Sequence, residues 1–144
     1  MTTLLVDTSV LVKWFHSEGE SGLAEARSIR DASQVGEVQA RVIDLALYEM
    51  GNVLLGALHW RGPDVADQLE DLGIICGPPL AMAAEWLRLA AELGERHRLT
   101  FYDAAWAAAA EALGIALVSA DARLLAAGLA ESPASIVQRL RLRR

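Results

Sequence analysis

Several apolar segments of this chain end in a carboxylate. The runs TLLVD, FYD and LVSAD place Asp7, Asp103 and Asp121 beside residues that a folded core would bury, and Glu49 lies within the apolar segment LALYEMGNVLL. Two negative charges about 5 Å apart repel by roughly 3 kcal/mol at an effective dielectric constant near 20. A domain is stable by only about 5–15 kcal/mol. Four such carboxylates can therefore meet only if a divalent cation or raised pKa values stabilise them, and we favour the cation.

Short β-like runs alternate with longer helical patterns along the chain, which predicts an α/β fold of three layers, α/β/α. Its mainly parallel central sheet is expected to have four to five strands. The candidate strands are residues 3–7, 40–43, 74–75, 115–118 and 135–137. The candidate helices are residues 10–15, 20–33, 44–60, 64–72, 80–97, 100–113 and 121–126.

Three local signals set the expected helix ends and the position of the site. Thr8 or Ser9 is expected to cap the first helix, and Gly62-Pro63 is expected to end the helix over 44–60. Ligands of parallel sheets bind outside the carboxyl ends of the strands. Asp7, Asp103 and Asp121 are expected at that edge.

Length and composition predict one domain over residues 1–144, with a basic tail at 139–144. The apolar fraction of 53% is high for a soluble monomer and favours a homodimer or a tight protein partner. Four of the 13 basic residues lie in the tail, which leaves a body with nine basic and 19 acidic residues. The tail is interpreted as a solvated terminus, with contact to RNA phosphates or a partner as the alternative.

The sequence also indicates a cytoplasmic location without membrane insertion. No run approaches the ~20 apolar residues of a membrane span, and Asp7 interrupts the apolar N-terminal segment. Cys76 is the single cysteine and cannot form an internal disulfide. The three histidines, His16, His59 and His97, lack the spacing of a zinc site.

Each acidic residue also has a local interpretation. Asp7 and Asp121 could cap helices, Asp103 could favour a helix N-terminus through its charge, and Glu49 could belong to a surface stripe. Ser119 could donate a hydrogen bond to a carboxylate or simply satisfy its loop.

Asn52 lies one helical turn after Glu49 and could orient that carboxylate or a bound water. The four acids together are better explained by a hard cation, Mg²⁺ or alternatively Mn²⁺, which takes oxygen ligands and keeps several waters. Such a cation lowers the pKa of a bound water and neutralises charge on a phosphodiester. That chemistry suits a nuclease.

Four segments carry a family resemblance: VDTSVLVKWF, YEMGNVL, FYDAAWAAAA and LVSAD followed by RLL. Together they resemble PIN-domain ribonucleases, and in particular the VapC-like toxins of bacterial and archaeal toxin–antitoxin pairs. The resemblance extends from Leu4 to about Leu125, and the four acids fall in the family's order.

The resemblance implies catalytic and metal-binding roles for these acids. Asp7 and Asp103 would be the principal metal ligands, Glu49 would complete the site, and Asp121 would bind a second metal or support the first. Supporting hydroxyl positions match Thr8, Ser9 and Ser119.

The resemblance further implies a function and partners. The expected activity is endonucleolytic cleavage of RNA by activated water, leaving a 5′-phosphate and a 3′-hydroxyl. The expected partners are a second copy of the chain and a cognate antitoxin, whose apolar helix would occupy a groove and whose basic residues would reach the acidic pocket.

Alternative functions remain open within this fold: a housekeeping RNA-processing nuclease, or a catalytically silent module that binds RNA or protein. A phosphatase or phosphotransfer domain with Asp7 as nucleophile is disfavoured. One such family needs a second aspartate at the position of Ser9, and a receiver-like domain needs a late lysine, whereas Lys13 is the only lysine.

Overall fold

The computed structural model of the protein describes residues 1–143. Its strands are β1 (Thr2–Val6), β2 (Val38–Arg41) and β3 (Ala116–Val118). Its helices are α1 (Thr8–Phe15), α2 (Leu23–Gln34), α3 (Leu45–Asn52), α4 (Gly62–Cys76), α5 (Ala84–His97), α6 (Phe101–Leu113), α7 (Ala122–Ala126) and α8 (Pro133–Leu140), and a π-helical turn (Val53–Ala57) continues α3.

The sheet is parallel and has the order β2-β1-β3. The central strand β1 contributes Leu4, Leu5 and Val6, which are fully buried because side chains of a parallel strand alternate between two sheet faces that helices cover. Single parallel bridges, Ile43 to Leu80 and Val118 to Glu131, extend the pairing beyond β2 and beside β3. The predicted three-layer α/β/α class is confirmed. Where four to five strands were expected, residues 1–143 form three strands and these two isolated bridges.

The alanine-rich helix α6 packs closely on α5, as its small side chains allow. Residues 104–110 of α6 are all buried, including Trp106. A Cβ atom added at Gly94 of α5 would lie 3.5 Å from the Cβ of Ala104 and 3.4 Å from the Leu99 carbonyl oxygen. Gly114 then ends α6 in the left-handed conformation, with φ of 67°. This packing fixes the start of α6, and with it Asp103, against the rest of the domain.

Two predicted strands are wrong because both segments are helical. Residues 74–75 belong to α4, whose buried face carries Val65, Leu72 and Cys76 at helical spacing. Residues 135–137 belong to α8, because the Ser132 hydroxyl caps that helix by accepting a bond from the Ser135 amide at 3.1 Å. Ile136 and Val137 lie on the buried side of α8, whereas Ile74 is exposed and Ile75 half-buried on α4.

Helix ends differ from the prediction in several places. The helices expected to start at residues 20 and 80 begin at Leu23 and Ala84, and the helix expected over 64–72 spans Gly62–Cys76. The helix expected over 44–60 is α3 followed by the π-helical turn, and it stops at Ala57. Gly62-Pro63 begins α4. Amides in the first turn of a helix have no acceptor within the helix, so a proline there costs no hydrogen bond. Asp7, and not Thr8 or Ser9, is the N-cap of α1.

The predicted basic tail begins inside a helix. Arg139 lies in α8 and donates bonds of 3.0 and 2.8 Å to the two carboxylate oxygens of Glu131. Its position is therefore not that of a free solvated terminus. Arg144, the last residue of the predicted tail, lies outside the described residues. No helix within residues 1–143 combines the length and the hydropathy needed to cross a membrane.

Candidate active site

Asp7 follows the central strand directly and is almost completely buried, with 4% of its surface exposed. Its Oδ1 accepts hydrogen bonds from the Ser9 amide at 3.1 Å and the Ser9 hydroxyl at 2.5 Å. Burial raises the pKa of Asp7 from 3.8 to about 6, and the negative charge of Glu49 adds to the shift. The Ser119 and Ser9 hydroxyls oppose it in part. The carboxylate is therefore held in place at an electrostatic cost.

Glu49 joins three helices through one oxygen. Its Oε1 accepts hydrogen bonds from Thr8 Oγ1 of α1 and from Trp106 Nε1 of α6, both at 2.9 Å. Its charge raises the pKa of both Asp7 and Asp103. Glu49 therefore lies close enough to both aspartates for its charge to act on each of them.

Asp103 occupies the first turn of α6, where the Thr100 hydroxyl accepts a bond from the Asp103 amide at 3.1 Å. Burial raises the pKa of Asp103, and the charges of Asp121 and Glu49 raise it further. The Thr100 side-chain hydrogen bond and the Arg123 guanidinium act in the opposite direction. Asp103 is thus coupled to an acid on each of two other elements.

Asp121 is the N-cap of α7. Its Oδ1 accepts bonds from the amides of Arg123 at 2.9 Å and Leu124 at 3.1 Å. Its own amide donates to Ser119 Oγ at 3.0 Å. The local capping role is therefore real, and Oδ2 lies outside these two bonds.

Two serines connect the ends of β1 and β3. Ser9 Oγ accepts a bond from the Ala120 amide at 2.9 Å and lies 3.4 Å from Ser119 Oγ. The Asp7 amide donates to the Val118 carbonyl oxygen at 3.1 Å. These bonds tie the segment before Asp121 to the segment that carries Asp7.

Asn52 is placed differently from the other candidate residues. It is exposed at the last position of α3, whereas the hydrogen bonds that hold Glu49 come from Thr8 and Trp106. Its predicted support of Glu49 stays a prediction. The contribution of Trp106 was missed, because a tryptophan within an apolar helix is typical of a core and its sequence context shows no partner. A buried indole N–H usually needs a partner, and Glu49 is that partner.

The four acids share one region, but they do not form a closed ligand cage. The coupled pairs are Asp7 with Glu49, Glu49 with Asp103, and Asp103 with Asp121. In the part of the chain that the structure describes, no three His, Cys, Asp or Glu side chains are arranged to hold a metal ion as they stand. The donors present are carboxylate and hydroxyl oxygens, the set preferred by a hard cation that keeps part of its water shell. Such a cation would offset the repulsion recorded in the raised pKa values.

The fold and the acidic site define a class of protein. The sequence profile of the PIN domain matches residues 4–129, so the chain belongs to the PIN domain family. The family resemblance seen in the sequence motifs is confirmed.

Individual relatives support the same assignment. Exonuclease VapC9 of Pyrobaculum aerophilum is 38% identical over 92 residues, which cover 59% of this chain and 64% of that protein, less than two thirds of its length. The crystal structure of PAE2754 from Pyrobaculum aerophilum matches with a TM-score of 0.67 at 25% identity and covers 97% of both chains. VapBC2 from Rickettsia felis, solved bound to a DNA fragment from its promoter, matches with a TM-score of 0.62 over 91% of this chain and 97% of that one. At 12% identity, this last likeness shows the fold alone.

The raised pKa of Asp7 predicts a pH-dependent gain in stability for Asp7→Asn. The folded protein holds this proton more tightly than the unfolded chain, so the neutral carboxyl contributes stability below pH 4 that is lost as the pH rises through about 6. A shift of this size corresponds to about 3 kcal/mol. In metal-free buffer, we expect the free energy of unfolding of Asp7→Asn to exceed that of the parent by about 1–3 kcal/mol at pH 7.5 and to match it near pH 4, as measured by urea unfolding.

Asp64→Asn is the matched control, because Asp64 is an exposed acid in the first turn of α4. Its effect on the free energy of unfolding should be small at both pH values. An equal effect of Asp7→Asn at pH 4 and pH 7.5 would show that burial does not raise the pKa of Asp7.

Proposed function

We propose that this protein is a metal-dependent ribonuclease that cuts internal phosphodiester bonds. The observation that carries the proposal is the coupling of buried Asp7 through Glu49 to Asp103, which concentrates negative charge at the carboxyl edge of a PIN fold. The name of the relative Exonuclease VapC9 supports nuclease chemistry. A divalent cation explains why such a repulsive arrangement is retained.

Each acid has a distinct proposed role at this site. Asp7 and Asp103 would be the principal ligands of Mg²⁺, or of Mn²⁺ in its place, and Glu49 and Asp121 would complete the coordination directly or through water. The bound cation would supply a water of lowered pKa and neutralise charge on the phosphodiester. Ser9 holds Asp7 in place. Thr8 and Trp106 both donate to Glu49 Oε1, so Glu49 Oε2 is the oxygen that we propose as the metal ligand.

Cleavage within the RNA chain is supported by the openness of the site. Phe101, Tyr102 and Ala120, which neighbour the acids along the chain, are exposed. A nucleic acid strand can therefore pass the carboxylates without presenting an end. Products with a 5′-phosphate and a 3′-hydroxyl are expected, whereas the name of VapC9 describes that relative as an exonuclease.

Circular single-stranded RNA is the decisive substrate, because only internal cleavage can open it. With Mg²⁺ present, we expect the parent to open the circle, and we expect Asp7→Asn and Asp103→Asn each to reduce the rate by about a hundred-fold or more, on the scale of losing a key electrostatic group. Chelation of the metal should have the same effect. Asp64→Asn serves as the control and should cleave like the parent.

Two outcomes contradict this assignment. Equal cleavage by the parent and both active-site variants would exclude the proposed acids as the catalytic site. If linear RNA is degraded and circular RNA stays intact, the protein is an exonuclease and the proposed internal cleavage is wrong.

A cognate antitoxin is the partner that we propose, and a groove on the domain supports it. A cavity of about 420 Å³ lies between α1, α2 and α4. Its lining combines Phe15, Ile75 and Ile74, which is 81% exposed, with the polar residues Arg30, Gln34, Gln68 and Asp71. The apolar face of a helix can bury the three apolar side chains. The acidic body favours a basic partner segment. The solved VapBC2 of Rickettsia felis has a related fold.

Ile74→Glu tests this groove. A charge at the centre of an apolar contact is costly to bury, so we expect the affinity for the protein product of an adjacent small gene to fall at least about ten-fold, as measured by calorimetry. Leu113→Glu, at the exposed end of α6, should leave that affinity unchanged. Unchanged affinity of Ile74→Glu would show that the partner binds at another surface of the protein.

A homodimer and a cytoplasmic location complete the proposal. The exposed apolar side chains Leu55 and Leu87 support a second protein contact besides the groove. The free thiol of Cys76, whose pKa burial raises to about 12, is compatible with a reducing compartment.

A further inference from the structure

Three large aromatic side chains near the acids are exposed instead of buried. Tyr48, Phe101 and Tyr102 are 77%, 49% and 61% exposed, whereas Trp14 and Trp106 are each 1% exposed. Tyr48 directly precedes Glu49 in the sequence, and Tyr102 directly precedes Asp103. The exposed rings therefore accompany two of the four acids.

Helix geometry keeps Phe101 and Tyr102 close to the site. Each residue of a helix advances about 1.5 Å along the axis, so Phe101 and Tyr102 lie within one turn of Asp103, and their rings flank its carboxylate around the helix instead of sharing its face. The bond from the Asp103 amide to Thr100 Oγ1 fixes this turn. The bond from Trp106 Nε1 of α6 to Glu49 Oε1 at 2.9 Å places α3, which carries Tyr48, beside α6.

Electrostatics favour a contact with nucleobases over a contact with phosphates. Proteins that hold nucleic acid through its backbone use several basic side chains, but outside the tail this chain has nine basic residues against 19 acidic ones. Arg123 is the cation whose charge acts on Asp103. Lys13 is buried and donates bonds to Glu20 and to the Ser21 carbonyl oxygen. Aromatic stacking binds unpaired bases without requiring a basic surface.

We propose that Phe101 and Tyr102, flanked by Tyr48, form an aromatic rim that stacks on unpaired RNA bases next to the bond to be cut. The rim rests on the proposed ribonuclease function and extends it to substrate choice, because bases within a duplex cannot stack on protein rings. It also explains how an acidic protein can hold a polyanion. Tyr102, the more exposed residue of the α6 pair, is the principal contact.

A protein partner is the competing occupant of these rings. The groove proposed for the antitoxin lies on α1, α2 and α4, whereas Phe101 and Tyr102 lie on α6 beside Asp103. Any substrate whose phosphate reaches Asp103 comes within one helical turn of these rings. Their position therefore matches nucleic acid better than a helix bound in that groove.

The test pairs ring removal with base removal. For the parent, replacing the base next to the cleaved bond by an abasic ribose should raise KM about ten-fold, as expected for the loss of one stacked base. Tyr102→Ala should raise KM for normal RNA by a similar factor, leave kcat nearly unchanged, and remove the sensitivity to the abasic site. Tyr102→Phe should retain the parent behaviour, and Leu113→Ala, at the other end of α6, serves as the control.

A binding measurement separates this inference from the nuclease proposal. A single-stranded oligonucleotide that contains 2-aminopurine should lose fluorescence on binding the parent with Mg²⁺, because stacking quenches that base. The quenching should be lost with Tyr102→Ala even if no RNA is cleaved. Equal quenching and equal abasic sensitivity in parent and Tyr102→Ala would overturn the rim. A change in oligomeric state of Tyr102→Ala with unaltered RNA binding would assign these rings to a contact between copies and would also overturn it.

Discussion

Burial of the Asp7 carboxylate at the end of the central strand is the constraint on which the site depends. The strand buries its apolar residues on both faces, so the next residue also leaves water, and desolvation raises the pKa of Asp7 to about 6. The Ser9 amide and hydroxyl hold Asp7 Oδ1, and Ser9 Oγ in turn accepts a bond from the Ala120 amide. A charge in this position opposes folding unless a positive charge joins it. The domain thus keeps a costly group where a cation can offset the cost.

The remaining acids extend that charge along one edge of the fold. Glu49 connects α1 and α6 through its bonds from Thr8 and Trp106, and its field acts on both Asp7 and Asp103. Capping roles explain why Asp7 and Asp121 begin helices, but they do not explain the coupling between acids on different elements. Asp7 and Asp121 can cap a helix and still face the other acids, because each cap uses one carboxylate oxygen and leaves the other outside the capping bonds. The proposed aromatic rim would supply the neutral contacts that an acidic surface lacks.

The sequence predicted those parts of the fold in which local and long-range signals agree. Strands β1 and β3, helix α6 with its end at Gly114, and the edge location of Asp7 and Asp121 follow from apolar runs bounded by clear stop signals. Residues 74–75 and 135–137 were assigned wrongly, because a short apolar run by itself does not distinguish a strand from part of a helix. The Trp106 contact with Glu49 joins residues 57 positions apart, and no local pattern encodes such a pair.

The titration of the Asp7 carboxyl carbon, followed by NMR with and without Mg²⁺, shows whether a cation stabilises this buried carboxylate. Without metal, we expect a midpoint near pH 6, because burial and Glu49 disfavour the charged form. With saturating Mg²⁺, the midpoint should fall below the ordinary value of 3.8, since a bound cation favours the carboxylate. A midpoint near 3.8 without metal, or one that Mg²⁺ leaves in place, would contradict a buried carboxylate that a cation stabilises.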